Sequence, residues 1–149
     1  MSNKTLTVLI IISIGLLSTS GLWFFHYLPK LRSVSTSNLA YAIEDRIHDF
    51  KKETGNFPTG DNSDILHQLR GDNRLSKRFV TSDDGFKIEG NQFVDEWGHP
   101  FQLTIKPDAT PVLTVLSPGK NGIFGDKDDV DSSIVRQILI DRGETPGPQ

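Results

Sequence analysis

Apolar residues fall along this chain in three regimes. Residues 6–28 are apolar with interspersed serines and threonines and contain no Asp, Glu, Lys or Arg. A helix of that length, rising about 1.5 Å per residue, reaches the roughly 30 Å of a bilayer core, so the segment is expected to span a membrane. Trp23, His26 and Tyr27 near its far end suit the headgroup layer, and Pro29, Lys30 and Arg32 follow as an interfacial stop. A cleavable signal peptide stays open as the other reading, with Lys4 as its basic start and Ser18, Thr19 and Ser20 as the small residues near a cut. Charge leaves the orientation balanced, with Lys4 on one side and Lys30 and Arg32 on the other.

The second regime has helical period. Over residues 38–54, Leu39, Ala42, Ile43, Ile47 and Phe50 share one face, while Glu44, Asp45, Arg46, Asp49 and Lys51 lie largely on the others. The polar link at residues 32–37 has no glycine or proline, which predicts a nearly continuous run from the apolar segment, interrupted only near Pro29. Gly55 is a natural helix stop, and Asn56-Phe57-Pro58 makes the exit extended. Residues 61–63 can cap a short helix carrying Ile65, Leu66 and Leu69 and ending at Gly71. Arg70, Arg74, Lys77 and Arg78 then form a loose basic cluster, read either as a solvated helix end or as a surface for anionic lipid or an acidic neighbour.

After Asp83-Asp84-Gly85 the period becomes that of strands. Residues 86–88 and 92–94 flank Glu89-Gly90-Asn91 as a hairpin, residues 101–105 alternate, and residues 112–116 read as a buried strand, together a small antiparallel meander. Residues 132–141 stay ambiguous, since Ile134, Val135, Ile138 and Leu139 fit either a short helix or a strand. The expected organisation is an α+β chain: residues 1–29 as anchor, residues 30–142 as one soluble domain, and residues 143–149 as a disordered tail.

Composition narrows the chemistry. The 149 residues include no cysteine, which excludes disulfides, thiolate metal sites and a lipoprotein-type anchor, and the net charge of −3 gives no support for nucleic-acid binding. The four histidines are scattered, and HExxH, GxSxG and Walker patterns are missing, so the chain is expected to be non-enzymatic and without an evident small-molecule substrate. His99 and Trp97, in Asp95-Glu96-Trp97-Gly98-His99-Pro100, are read as a structural turn residue and a core plug.

Residues 117–133 carry the strongest chemical signal. Gly119, Gly122 and Gly125 lead into Asp126, Asp128, Asp129 and Asp131, and across residues 126–131 four carboxylates against Lys127 leave −3, the formal charge of the whole chain. A phosphate cradle fails on sign. Two readings remain, a solvated acidic turn and a cation site. For Ca2+, which takes about six to eight hard oxygens, the candidate ligands are Asn121, the backbone near Ile123, Asp128, Asp129 and Asp131. The spacing does not match an EF-hand, because the fifth position of a frame begun at Asp126 falls on Val130. A metal here would act structurally, by binding only the folded loop.

Taken together, three segments resemble the major (G-type) pseudopilins of bacterial type II secretion systems. Residues 50–59, FKKETGNFPT, are similar to the family's Y-x-x-x-[TN]-G-x-[YF]-P-[TS], and residues 95–101, DEWGHPF, to D-x-W-G-x-P-[YF]. Residues 117–130 are similar to S-x-G-x-D-G-x-x-G-[TG]-x-D-D-I, with Asn121 where the family usually has Asp. The resemblance implies a long N-terminal membrane helix continuing into an amphipathic helix packed on a small antiparallel sheet, followed by a loop holding a structural Ca2+. It also implies a single-pass protein of the bacterial inner membrane, its soluble domain periplasmic or extracytoplasmic, with other pseudopilins or further copies of itself as partners. Lys4-Thr5-Leu6-Thr7-Val8 departs from the family's Gly-ending leader, and the apolar segment lacks its glutamate. The expectation from that departure is an uncleaved, tethered relative; the alternative is a tethered or secreted calcium-binding interaction module that forms no filament.

Overall fold

The computed structural model describes residues 3–147, with side chains from residue 27 onward. The chain divides into two compact units, Met1–Arg32 and Ser33–Gln149. The first is the opening part of α1 (Asn3–Thr54), which carries Pro29 inside the helix rather than breaking there. The expected membrane span lies almost wholly outside the residues whose side chains are described. Among the described residues, no helix is long and apolar enough to cross a membrane.

In the second unit the rest of α1 buries Thr36, Ala40, Ile43, Ile47, Phe50 and Thr54, at alternating spacings of four and three that keep one stripe turned inward. The expected face is therefore right in its centre and needs two corrections. The polar link is a packing surface, with Thr36 and Ser37 fully buried. Glu44, expected on a solvated face, is buried as well. Gly55, at φ 83°, ends the helix in the left-handed conformation, and its N–H donates to the Lys51 carbonyl at 2.8 Å.

Helix α2 (Asn62–Leu69) starts as expected: Asp61 accepts from the Asp64 N–H, and Asp64 accepts from the Asp61 N–H, a reciprocal capping box. Ile65, Leu66 and Leu69 drop into the core formed by α1 with Phe79, Val80, Phe93, Phe101, Leu113 and Val115. Asn62 ties this helix to the strands. Its side-chain amide donates to the carbonyls of Phe93 and Phe101 and accepts from the Phe93 N–H, at 2.8–3.1 Å.

The strands form two separate antiparallel pairs instead of one meander: β1 (Ile88–Glu89) with β2 (Gln92–Phe93), and β3 (Gln102–Ile105) with β4 (Leu113–Leu116). Gly90 and Asn91 both take positive φ, 55° and 62°, as a tight two-residue hairpin turn requires. The link between the pairs is an isolated bridge from Val94 to Pro100. It spans the turn at residues 95–99, whose buried carboxylate Asp95 supplies side-chain hydrogen bonds in place of a ladder.

Residues 132–141 resolve as helix α3 (Ser133–Asp141). Helical spacing sends Arg136 inward to Glu44, with Nη2 to Oε2 at 2.6 Å, while Ser132 donates to the other Glu44 oxygen at 3.0 Å. Arg136 also donates to the Gly147 carbonyl at 2.8 Å, and the Gly147 N–H reaches the Tyr41 hydroxyl at 2.9 Å. The segment expected to be a disordered tail is thus tied to α1 as far as residue 147.

Burial pushes the Glu44 carboxyl above the usual glutamate range, with the Arg136 and Ser132 hydrogen bonds holding it part of the way back. The folded state then binds the proton more tightly than the unfolded chain. This contribution to stability is complete below the ordinary glutamate pKa of about 4.3 and is lost as pH rises through the elevated folded value. In urea unfolding at a series of pH values, the wild type should lose stability relative to Glu44→Gln as pH rises from about 4 toward neutrality. A flat or rising difference would contradict the shift.

Candidate functional site

The sequence motifs around Asp95 and Ser117 meet at one corner of the second unit. Asp95 is fully buried. Its Oδ1 accepts from the backbone N–H groups of Trp97 at 2.8 Å and His99 at 2.9 Å, closing the turn between β2 and β3. Its Oδ2 accepts from the Ser117 hydroxyl at 2.5 Å, and Ser117 in turn accepts from the Gly119 N–H at 2.9 Å. One carboxylate thereby fixes both the turn and the mouth of the glycine-aspartate loop.

His99 extends that connection. Its Nδ1 lies 2.8 Å from the Gly119 carbonyl, which can only accept, so this nitrogen carries the proton. The ring also limits Gly122, where an added Cβ would come within 3.1 Å of Nε2. His99 thus joins its own turn to the start of the loop. Trp97 is not the core plug expected: it is half-buried and outside the core cluster, its backbone N–H held by Asp95 and the residue bordering a surface depression with Lys87 and Glu96. Glu96 faces α1 instead, accepting from the Ser35 hydroxyl at 2.9 Å, and its N–H donates to Thr36 Oγ1 at 3.3 Å.

The loop closes through paired backbone bonds between Ser117 and Val130, at 2.9 and 3.0 Å. Within it, Gly119 has φ 63°, and a Cβ there would lie 1.9 Å from the Asp128 carbonyl oxygen, so the chain can cross over itself only at glycine. The five candidate metal ligands lie in this loop and just beyond it. Asn121 donates to Asp126 Oδ2 at 2.7 Å and accepts from the Ile123 N–H at 2.9 Å. Asp129 Oδ2 accepts from the Gly125 N–H at 2.8 Å, and Asp131 Oδ1 accepts from the Ser133 N–H at 2.9 Å. Asp128 contributes its carbonyl to the crossing, and Ile123 is exposed at the tip. Among the described residues, no three His, Asp or Glu side chains are gathered into one metal-ligating group.

Asp126, not among the candidate ligands, is the carboxylate the loop uses most. The Asn121 amide, and then the Asp128 N–H at 2.7 Å, hold it below the usual carboxylate range. One atom is left over: Asp129 Oδ1 is buried without a hydrogen-bond partner. Sequence reasoning found the loop and missed the clasp, because nothing in the spacing joins Asp95 to a serine twenty-two residues away.

A solved structure similar to this chain is the crystal structure of the major pseudopilin from the type 2 secretion system of enterohaemorrhagic Escherichia coli. The identity is 20% and the TM-score 0.41, covering 68% of this chain and 85% of that one. No family model matches the sequence. No curated protein matches it either.

Three substitutions separate the clasp from the crossing. Asp95→Ala leaves the Ser117 hydroxyl and two N–H groups without their acceptor and should cost about 3 kcal/mol in urea unfolding. Gly125 also has positive φ but open space around it, so Gly125→Ala should cost only the conformational strain, about 1–2 kcal/mol. Gly119→Ala adds the backbone collision and should cost at least about 2 kcal/mol more. Equal losses at the two glycines would contradict the crossing.

Proposed function

We propose that this chain is a non-enzymatic structural subunit of a type II secretion or pilus-like assembly, of the pseudopilin kind. Residues 6–28 hold it in the bacterial inner membrane, and the soluble domain works on the periplasmic or extracytoplasmic side. The observation that carries the reading is the clasp: the segments that resemble the family's second and third motifs are bonded to each other through Asp95, Ser117, His99 and Gly119. The first motif also has a local structural role. The Thr54 hydroxyl caps the end of α1 at the Phe50 carbonyl, 2.8 Å away, and Pro58 is buried. Motif residues engaged in holding a head together fit a scaffold better than a catalyst.

The same reading includes a structural Ca2+ in the loop. The donor chemistry suits a hard cation, and the partnerless Asp129 Oδ1 is a carboxylate oxygen for which a cation would supply the missing partner. Asn121, Asp128, Asp129, Asp131 and the backbone at Ile123 would hold it, drawn toward the ion from the separate bonds that Asn121, Asp129 and Asp131 make without it. Bound there, the ion would offset the −3 charge of residues 126–131 and stabilise the folded loop by mass action.

Thermal unfolding of the full chain in Ca2+ and in chelator tests the metal. At about a hundred times Kd the ion should add about 2.7 kcal/mol, which raises the midpoint by about 5–15 °C, and Asp129→Ala should remove the difference. No shift in the wild type would discard the ion. The assembly is tested separately by cross-linking in membranes and by the mass of the mature N-terminus. Self-contacts along α1 support a filament subunit, whereas a tethered chain without self-contacts would favour an interaction module.

A further inference from the structure

We propose that Ile123 and Phe124 at the tip of the acidic loop dock into an apolar groove at the opposite end of the β3–β4 hairpin on a second copy of this chain. The inference rests on the assembly reading above and names a contact within it. The groove, about 530 Å³, is lined by Phe57, Pro58, Ile65, Leu103, Ile105 and Pro107. That volume falls in the range of roughly 300–1,000 Å³ typical of sites for small apolar ligands, room for one aromatic and one aliphatic side chain. Phe57, Leu103 and Ile105 pack against the core from outside it and remain half-buried, so their outer surfaces are uncovered.

The tip is the complement. Ile123 is 62% exposed and Phe124 44%, two large apolar side chains side by side on a loop whose other exposed positions are polar or glycine. They are not loosely held: Asn121 accepts from the Ile123 N–H, and Asp129 from the Gly125 N–H, so the tip is shaped before any partner arrives. The strand register sets tip and groove apart. The groove lies at the Ile105↔Leu113 end of the hairpin, whereas the loop leaves after the Gln102↔Leu116 end.

Charge selects the occupant. The tip is followed by the −3 segment at residues 126–131. Beside the groove, Lys51 lies over the Phe57 ring at 4.3 Å and Lys52 is adjacent in α1, while the next residue, Glu53, is ion-paired to Lys77. Arg74 closes on the rim itself, its Nη2 being 3.7 Å from where a Cβ on Gly55 would sit. An apolar knob with an acidic flank therefore faces an apolar socket with a basic flank. A contact joining two different surfaces of the same chain is head-to-tail and repeats without closing unless the rotation forms a ring, which is the geometry a fibre needs.

The chain has no cysteine, so engineered pairs report cleanly. Full-length Phe124→Cys, with one epitope tag, is co-expressed with full-length Thr59→Cys, with another; Thr59 is exposed and lines the groove. After mild oxidation of membranes, non-reducing electrophoresis should show the mixed disulfide at least about tenfold above a Phe124→Cys and Ser82→Cys control. Adding Ile123→Asp to the tip chain, or Lys51→Glu with Arg74→Glu to the groove chain, should return it to control level with unfolding midpoints unchanged. A Leu31→Cys pair on α1 reports assembly independently. If Leu31→Cys copies bond and the tip–groove pair stays at control level, the contact is overturned and the assembly reading stands. If neither pair bonds, or the tip is trapped only on another protein, the contact is overturned; silence at Leu31 counts against the assembly as well.

Discussion

The C-terminal half of the head depends on one buried carboxylate. Asp95 sits where the chain passes between the two strand pairs, beside the Val94–Pro100 bridge that links them. An unpaired carboxylate there would be expensive, so the surroundings must supply donors, and they do so from both sides: the Trp97 and His99 N–H groups from its own turn, and the Ser117 hydroxyl from the strand end beyond β4. The turn then aims the His99 ring at the Gly119 carbonyl, and the position of Gly119 beneath the Asp128 carbonyl forbids a side chain. Each of these constraints follows from the one before it, and without Asp95 the first has no anchor.

A similar economy holds α1 against the head. Its contacts are apolar toward the core but polar along the margin of the packed stretch, where Ser35 and Thr36 meet Glu96, the Ser37 hydroxyl accepts from the Val135 N–H at 3.3 Å, and Glu44 meets Arg136 and Ser132. Apolar burial fixes which face of the helix turns inward. Directional bonds at its edges fix how far along the helix the turn at residues 95–99 and helix α3 can sit.

This explains which parts of the structure could be read from the residues. Local devices were legible: the Asp61–Asp64 capping box, the Gly90-Asn91 turn and the Gly55 stop each lie within a few residues of their own cause. The core of the amphipathic stripe was legible for the same reason. Ser37, Glu44 and Asp95 were not, since each is buried against a partner between 22 and 98 positions away and a polar residue carries no sign of a distant partner. Residues 132–141 were ambiguous on hydrophobicity alone; what decides for helix is the spacing that brings Arg136 to Glu44 while Val135 turns into the interior. Trp97 was misread because ring size suggested a place in the core, whereas the bond that fixes the residue in its turn is made by its backbone N–H.

The acidic loop separates two requirements that often compete. Its inner part, Ser117, Pro118, Gly119 and Val130, is buried and closed by backbone bonds, so its residues answer to packing. Its outer part, residues 121–127, is exposed and holds itself in shape through Asn121, Asp126 and Asp129, using carboxylates as acceptors for the loop's own N–H groups. Side chains at the tip are therefore free of the demands of the core, while the backbone that presents them is not free to wander. Apolar residues in such a position gain little for the folded chain by itself, since most of their surface stays in water. What they offer is area to be buried later, against a surface supplied from outside, at a low entropic cost because the loop is already ordered.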